Sequence, residues 1–312
     1  MKQTPATVLI TGVTGFAGRY LAGYLLDQGW HVIGASRRRP SNERIEYFPI
    51  SNLDAYTDWE PALSKSDFVV HLAGRVHQMR DKPENTHLYF ENNVDAAINL
   101  ANQAVEAGIT KFVFASSVKA MGEGGDSLIY NENTVCRPED AYGRSKLKAE
   151  IELEKISRQK GLPVVILRLP LMYGPKVKGN MATLVRLVKK LPVLPLGGLK
   201  NRRSFLGLRN FSSAVRTVLE SERVNTGTYM LSDGEAISTS ELIDRMIDVF
   251  AAGCRNIALP RVFWKIIEKI PFAAPRVRRL SGSLAVDSSA FEREFNWRPP
   301  ATMQEQFREM LL

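Results

Sequence analysis

The chain opens on an apolar run that is cut by glycine at three fixed places. Residues 7–11, Thr-Val-Leu-Ile-Thr, are β-branched and apolar, and GVTGFAG then supplies Gly12, Gly15 and Gly18. Behind them Phe16, Tyr20, Leu21, Tyr24 and Leu25 recur at helical spacing, and HVIGAS (31–36) reads as a second strand. A glycine pattern that follows a strand, opens a helix and leads into another strand constrains the fold far more than glycines alone. Each glycine has its own physical reason: a tight turn, close approach of backbone to a pyrophosphate, and close packing of helix on strand. The helix start then offers free N–H groups and a positive dipole to an anion. Gly12, Gly15, Phe16, Ala17 and Gly18 are therefore expected to cradle the phosphates of a dinucleotide.

The end of the second strand bears on which dinucleotide. A chain that prefers NAD usually places Asp or Glu there for the ribose hydroxyls. Here the sequence is Ser36-Arg37-Arg38-Arg39. Guanidinium groups suit a 2′-phosphate, since several donors meet several anionic oxygens. Arg37 and Arg38 thus favour NADP(H), with NAD(H) as the alternative.

The bulk properties narrow the class. At 312 residues, 44% hydrophobic and 24% charged, the chain can bury a large core. A strand-like run begins within seven residues of the start, which leaves no room for a signal peptide. No stretch approaches the ~20 apolar residues of a membrane span. The two cysteines, Cys136 and Cys254, form no CxxC or Cys/His cluster, so no disulfide framework and no metal site is expected. A cytoplasmic location follows as an expectation. The net charge of +9 concentrates in ASRRRPS (35–41), KNRRSF (200–205) and PRVRRL (275–280). No nucleic-acid motif accompanies these clusters, and small phosphorylated ligands account for them better.

AYGRSKLKAE (141–150) places Tyr142 and Lys146 four residues apart at a helix start, one above the other on the same face. Alone, the pair reads as readily as a partly buried Tyr with a snorkelling Lys as it does as a general acid beside a cation. The wider pattern decides. TGVTGFAG, DFVVHLAG (67–74), FVFASS (112–117), AYGRSK (141–146) and LRLPLMYGP (167–175) resemble, in order and spacing, the extended short-chain dehydrogenase/reductases. These are the nucleotide-sugar epimerases, dehydratases and reductases. FNWRPPATMQE (295–305) resembles the family's usual ending. Within the family, residues 177–210 look like reductases of UDP-4-keto-6-deoxy-N-acetylhexosamines that serve O-antigen synthesis.

The resemblance implies roles residue by residue. Tyr142 would move a proton at the sugar carbon that gains or loses hydride, with Lys146 binding the nicotinamide ribose and lowering the phenol's pKa. Ser117 would hold the substrate oxygen, with Ser116 the neighbour if the register is off by one. Leu72, Ala73, Gly74 and Pro170 would line the cofactor. Asn180, Arg203 and Arg279 match positions that meet the sugar-nucleotide diphosphate, and His77 lies where it could face the sugar. Two departures stand out: Leu171 where the epimerases carry Asn, and Arg209 where the family commonly carries Asp.

The surroundings of the triad sort the chemistries. The family's 4,6-dehydratases carry an acidic pair just after the Ser/Thr, and here those places are Val118 and Lys119. Neither is a carboxylate base, so dehydration is not expected. The arginine run favours exchangeable NADPH and net reduction at C4, with a UDP-sugar 4-epimerase holding NAD as the alternative. A regulator that senses NADP without catalysis is a further reading, though such proteins usually lose the Tyr and Lys.

The expected architecture is α/β: a Rossmann-type doubly wound parallel sheet with a smaller C-terminal substrate-binding lobe. The sheet domain would span 1–172, with SFLGL and GTYMLSD (about 204–234) returning to it. The lobe would comprise 173–203 and 235–312. Ser238 with Glu241 three residues on predicts a capping box. The segment 260–272 is amphipathic and basic, and reads as a lobe helix packing Phe263, Ile266, Ile267 and Ile270 inward, rather than as a membrane contact. The resemblance also implies a homodimer formed through the helix that carries Tyr142.

Overall fold

The structure, a computed structural model, describes residues 5–76, 83–125, 129–223, 226–250, 253–259 and 280–311. His77, Arg279 and the amphipathic stretch 260–272 lie outside the described residues.

The first half of the chain runs β1 (Thr7–Thr11), α1 (Phe16–Asp27), β2 (His31–Ser36), β3 (Glu46–Pro49), α2 (Glu60–Leu63), β4 (Phe68–His71), α3 (Thr86–Phe90), α4 (Ala96–Glu106) and β5 (Lys111–Ser117). It continues through β6 (Ile129–Tyr130), α5 (Ala141–Lys160), β7 (Val164–Leu169), β8 (Leu171–Tyr173), α6 (Gly179–Lys190), β9 (Val193–Leu194) and β10 (Arg203–Gly207). The remainder is α7 (Leu208–Glu220), β11 (Gly227–Met230), β12 (Ala236–Ile237), α8 (Thr239–Phe250), β13 (Arg255–Asn256), β14 (Ala285–Val286), α9 (Ser289–Phe295) and α10 (Met303–Glu309).

Seven strands form one sheet in the order β11-β7-β5-β4-β1-β2-β3, and every pairing in it is parallel. Both faces are covered, as a parallel sheet requires. Along β1, Val8 and Ile10 pack into one apolar layer with Leu21 and Leu25 of α1 and Phe211 and Val215 of α7. Leu9, pointing the other way, joins Leu100 of α4 and Leu153 of α5. This period-2 division of a wholly apolar strand is what lets one sheet carry helices on both sides. The chain winds outward through β2 and β3 on one side of β1 and through β4, β5, β7 and β11 on the other. The reversal at β1/β4 opens a crevice at the carboxyl ends of the strands.

A second core lies beyond Pro170. Tyr173, Met181, Leu184, Val188, Leu194, Phe205, Ile243, Met246 and Phe307 pack together there. GTYM (β11) rejoins the large sheet as expected, but SFLGL does not. Its strand, β10, pairs in parallel with β8 and antiparallel with β12 in a separate three-stranded sheet. The physical reason is local: β8 leaves β7 immediately after Pro170, and Leu171–Tyr173 takes up Phe205–Gly207 as its partner. Ahead of α8, the Glu241 carboxylate accepts from the Ser238 N–H at 2.7 Å and the Ser238 hydroxyl accepts from the Glu241 N–H at 3.1 Å. That is the predicted capping box.

Candidate active site

The glycine turn between β1 and α1 is closed by its own backbone. Gly12 has a positive φ of 71°, its N–H donates to Ala35 O at 3.0 Å, and Gly15 N–H donates to Gly12 O at 2.8 Å. A Cβ at residue 12 would come within 2.9 Å of Ala73 N, and one at residue 18 would collide with the Gly12 carbonyl. Both positions are therefore glycine by necessity. Gly15 caps α1 without a side-chain hydrogen bond, and the first turn carries no acidic residue. The N–H groups around Phe16, Ala17 and Gly18 thus keep their capacity for an anion. An uncapped helix start beneath a turn too tight for any side chain fits the diphosphate of a dinucleotide.

Across the turn, Leu72, Ala73 and Gly74 leave β4. Ala73 N–H donates to Thr11 Oγ1 at 3.2 Å, and a Cβ at Gly74 would press to 2.6 Å from Asn93 Oδ1. At the end of β2 the three arginines are exposed. The Ser36 hydroxyl donates to Arg38 O at 2.7 Å, which shapes the loop, and the Arg39 guanidinium lies 5.3 Å over the Tyr47 ring. Arg37 and Arg38 precede it in the same exposed stretch. Pro170 is buried between β7 and β8.

The triad forms where β5 ends and α5 begins. Asp140 caps α5, its carboxylate accepting from Gly143 N–H at 2.6 Å. Gly143 itself passes so close to Lys119 O that a Cβ there would collide, which presses the helix start against the end of β5. Tyr142 is half-buried, hydrogen-bonded with Ser117, and meets the Tyr89 ring edge-on at 6.3 Å. Lys146 is 6% exposed; its ammonium donates to Ala115 O at 2.8 Å and lies 4.6 Å from the centre of the Phe114 ring. The strand alternation separates the two serines. Ser116 turns the other way and donates to the buried Glu150, which is paired with Arg168 at 2.7 Å. Ser117, and not Ser116, faces the phenol.

The electrostatics correct one expectation. Lys146 does not draw the Tyr142 phenol down. Burial pushes it up to about 12, the Asp140 charge adds to this, and only the Ser117 hydrogen bond opposes it. Burial likewise pulls Lys146 down to about 8, against the Glu150 charge one turn further along. The ammonium spends its hydrogen bond on Ala115 O, so in the free protein the phenol is a firmly protonated acid.

Two polar groups that the sequence reading passed over support this site. His71 is wholly buried, shares a 2.7 Å hydrogen bond with Thr11 Oγ1 and stacks on Phe114 at 5.8 Å. Burial, and then the Lys146 charge, pull it down to about 3, so it is neutral. Asn93 sits in a π-helical turn, Glu91–Asp95, of the kind often found at functional sites. It accepts from Arg75 N–H at 2.7 Å and donates to Ser145 Oγ at 2.9 Å, tying the loop after β4 to α5. The His in DFVVHLAG was in view in the sequence, but its partner lies sixty residues away; Asn93 carries no local signal at all.

Beyond Pro170, Asn180 is exposed in the first turn of α6, whose start has no side-chain cap. Arg203 opens β10 and donates to Gly282 O at 3.2 Å. Leu171 is 44% exposed at the start of β8. At the Arg209 departure, Arg209 pairs with Glu309 at 3.4 Å on the surface. Its neighbour Asn210 is the buried one, donating to Asp233 at 2.7 Å and to Ala301 O at 2.8 Å.

Among the described residues no His, Cys, Asp and Glu cluster could hold a metal, and no described helix is long and apolar enough to cross a membrane. The family model for the NAD dependent epimerase/dehydratase family matches residues 8–231. A UDP-glucose 4-epimerase of Vibrio cholerae is 34% identical over 314 residues, covering 99% of this chain and 95% of that one. Among solved structures, UDP-N-acetylglucosamine 4-epimerase from Bacillus cereus is similar with a TM-score of 0.78 at 23% identity, covering 98% of this chain and 95% of that one. The Bordetella bronchiseptica enzyme WbmG in complex with NAD has a TM-score of 0.75 at 23% identity, covering 99% and 94%. At those identities the structures speak for the fold. The family model and the full-length likeness speak for descent: the chain belongs to the NAD-dependent epimerase/dehydratase family.

Proposed function

We propose that this chain reduces the C4 ketone of a UDP-linked 4-keto-6-deoxy-hexosamine with NADPH, in the making of polysaccharide precursors. The observation that carries the reading is the meeting of Ser117, Tyr142 and Lys146 at the carboxyl ends of the strands, beside an anion-ready helix start. Two features favour reduction. Arg37 and Arg38 stand exposed where a 2′-phosphate would be met, and the phenol, pushed up to about 12, holds the proton that a nascent alkoxide needs.

The dinucleotide, when bound by Gly12–Gly18, Leu72–Gly74 and Pro170, supplies the hydride. The chain's own residues do the rest. Ser117 orients the ketone oxygen, Tyr142 passes its proton to that oxygen as charge develops, and the Lys146 ammonium offsets the charge left on the phenol. Asn180 and Arg203, on a lobe of residues 173–203 and 235–312, would hold the diphosphate.

A second reading is favoured by the full-length likeness to the Vibrio cholerae protein named as a UDP-glucose 4-epimerase. In that reading, the same triad removes and returns hydride with NAD retained. One experiment separates the two. Purified protein is given UDP-4-keto-6-deoxy-N-acetylglucosamine with NADPH or NADH, and separately UDP-glucose or UDP-N-acetylglucosamine with NAD. Stoichiometric loss of NADPH absorbance is the expected result. Absence of that loss, together with appearance of the C4 epimer, would transfer the assignment to the epimerase.

A further inference from the structure

The charge of the chain is distributed unevenly in a way the candidate site does not use up. Between Glu154 and Glu220 the sequence contains no Asp or Glu, while α6 and the turn after it carry Arg186, Lys189 and Lys190. The same region exposes large apolar side chains. α6 buries Met181, Leu184 and Val188 in the second core and leaves Leu187 38% exposed on its outer side. β9 pairs in parallel with β13, Val193 opposite Arg255. Side chains alternate along such a ribbon, so Leu194 turns into the core while Val193, Arg255 and Ile257 share the outer face. Leu191, Val193 and Ile257 are 40%, 41% and 44% exposed. The result is a strip of four apolar side chains rimmed by Arg186, Lys190 and Arg255. α8, packed against α6 and β13, exposes two carboxylates, Asp244 and Asp248, and Asp244 accepts a hydrogen bond from Asn256 at 2.9 Å.

We propose that this strip docks the protein on an anionic lipid bilayer. Lipid phosphates would meet the cationic rim while Leu187, Leu191, Val193 and Ile257 settle into the headgroup–acyl boundary, the arrangement that interfacial surfaces use. Charge complementarity selects this occupant. A second copy would bring the same cationic rim, Arg186, Lys190 and Arg255, against the first, and a bilayer also accepts an apolar strip that has no groove to receive a side chain. Contact is peripheral, since no described helix can cross a membrane.

The test is sedimentation of the purified full chain with vesicles of phosphatidylcholine alone, and of phosphatidylcholine with about a third phosphatidylglycerol. Partitioning onto the anionic vesicles is expected to be at least tenfold stronger and to weaken with salt. Each surface cation contributes roughly fivefold, so Lys190→Glu with Arg255→Glu should lower partitioning at least about twenty-five-fold. Leu187→Asp with Val193→Asp should lower it comparably, with Tm unchanged. Equal partitioning onto both vesicles overturns the proposal, as does wild-type binding by either pair of variants. A lowered Tm with unchanged partitioning overturns it, since the strip is then packed within the chain itself. Loss of a dimer in light scattering points instead to a second copy. Preference for polyglutamate over vesicles, untouched by the apolar variants, points to an acidic protein.

Discussion

β5 begins and ends beside a buried lysine, and the two differ in what surrounds the ammonium. Lys111, 3% exposed, donates to two carbonyls at the end of α7, Val218 O at 2.9 Å and Ser221 O, where the helix dipole also favours a cation. Lys146, 6% exposed, has one carbonyl, Ala115 O, and otherwise the face of Phe114. Burial lowers both pKa values, Lys146 to about 8. The first lysine closes off a helix end and is spent there. The second meets a single carbonyl, and its burial cost is offset in part by the Glu150 charge. The two burials thus differ in how many acceptors meet the ammonium.

The sharpest way to break this contrast is turnover. Tyr142→Phe should lower kcat about a thousandfold or more with NADPH affinity retained, measured by absorbance and by cofactor fluorescence. Lys146→Met should lower kcat/KM by at least about a hundredfold, whereas Lys111→Met should leave it unchanged per folded molecule. Equal losses from the two lysine variants would dissolve the distinction. Next in size, Ser117→Ala should cost about a hundredfold in kcat while Ser116→Ala costs stability alone, because Ser116 serves Glu150 and not the phenol.

Stability should move the opposite way. Lys111→Met orphans the α7 carbonyls and should cost about 1–3 kcal/mol in denaturant unfolding. Lys146→Met relieves a buried charge. Its folded pKa of about 8 lies below the usual 10.5, so between those values the unfolded chain holds a proton that the folded chain has released. Wild-type stability therefore gains with pH across that window, and the charge penalty is full below pH 8, on the order of 3 kcal/mol. Lys146→Met should then match or exceed the wild type at pH 7, with its advantage shrinking toward pH 10.5. The smallest effect is on rate: above pH 8, kcat/KM should decline toward tenfold per unit as the ammonium of the free protein is lost. A flat profile would mean that its charge is not used.

How far the sequence reached follows from how local each signal is. The phosphate turn was legible because the contacts that demand glycine at 15 and 18 are with Gly12 and Val13 a few residues away, although Gly12 itself is held by the distant Ala73; β1 was legible because a wholly apolar strand has few other uses. Tyr142 and Lys146 were legible as a helical pair, but the direction of the phenol's shift was not, since it depends on how deeply the folded chain buries the ring. His71 and Asn93 escaped because lone polar residues become informative only when a partner far along the chain is known. β10 was misplaced because a five-residue apolar strand fits any edge that offers hydrogen bonds, and β8 had no sequence mark as that edge. Arg209 drew attention while the buried Asn210 beside it escaped notice, because a helix boundary shifted by one residue exchanges surface for core.

Pro170 alone separates the large sheet from the small one on this crossing, and register places Ser117 opposite Leu169, the residue before it. A proline's fixed φ at this junction ties the two sheets together through one stiff residue. The strand end beside Ser117 and the strand that takes up Phe205–Gly207 therefore share a single anchor, so the direction in which β8 leaves the large sheet is fixed by the chain itself.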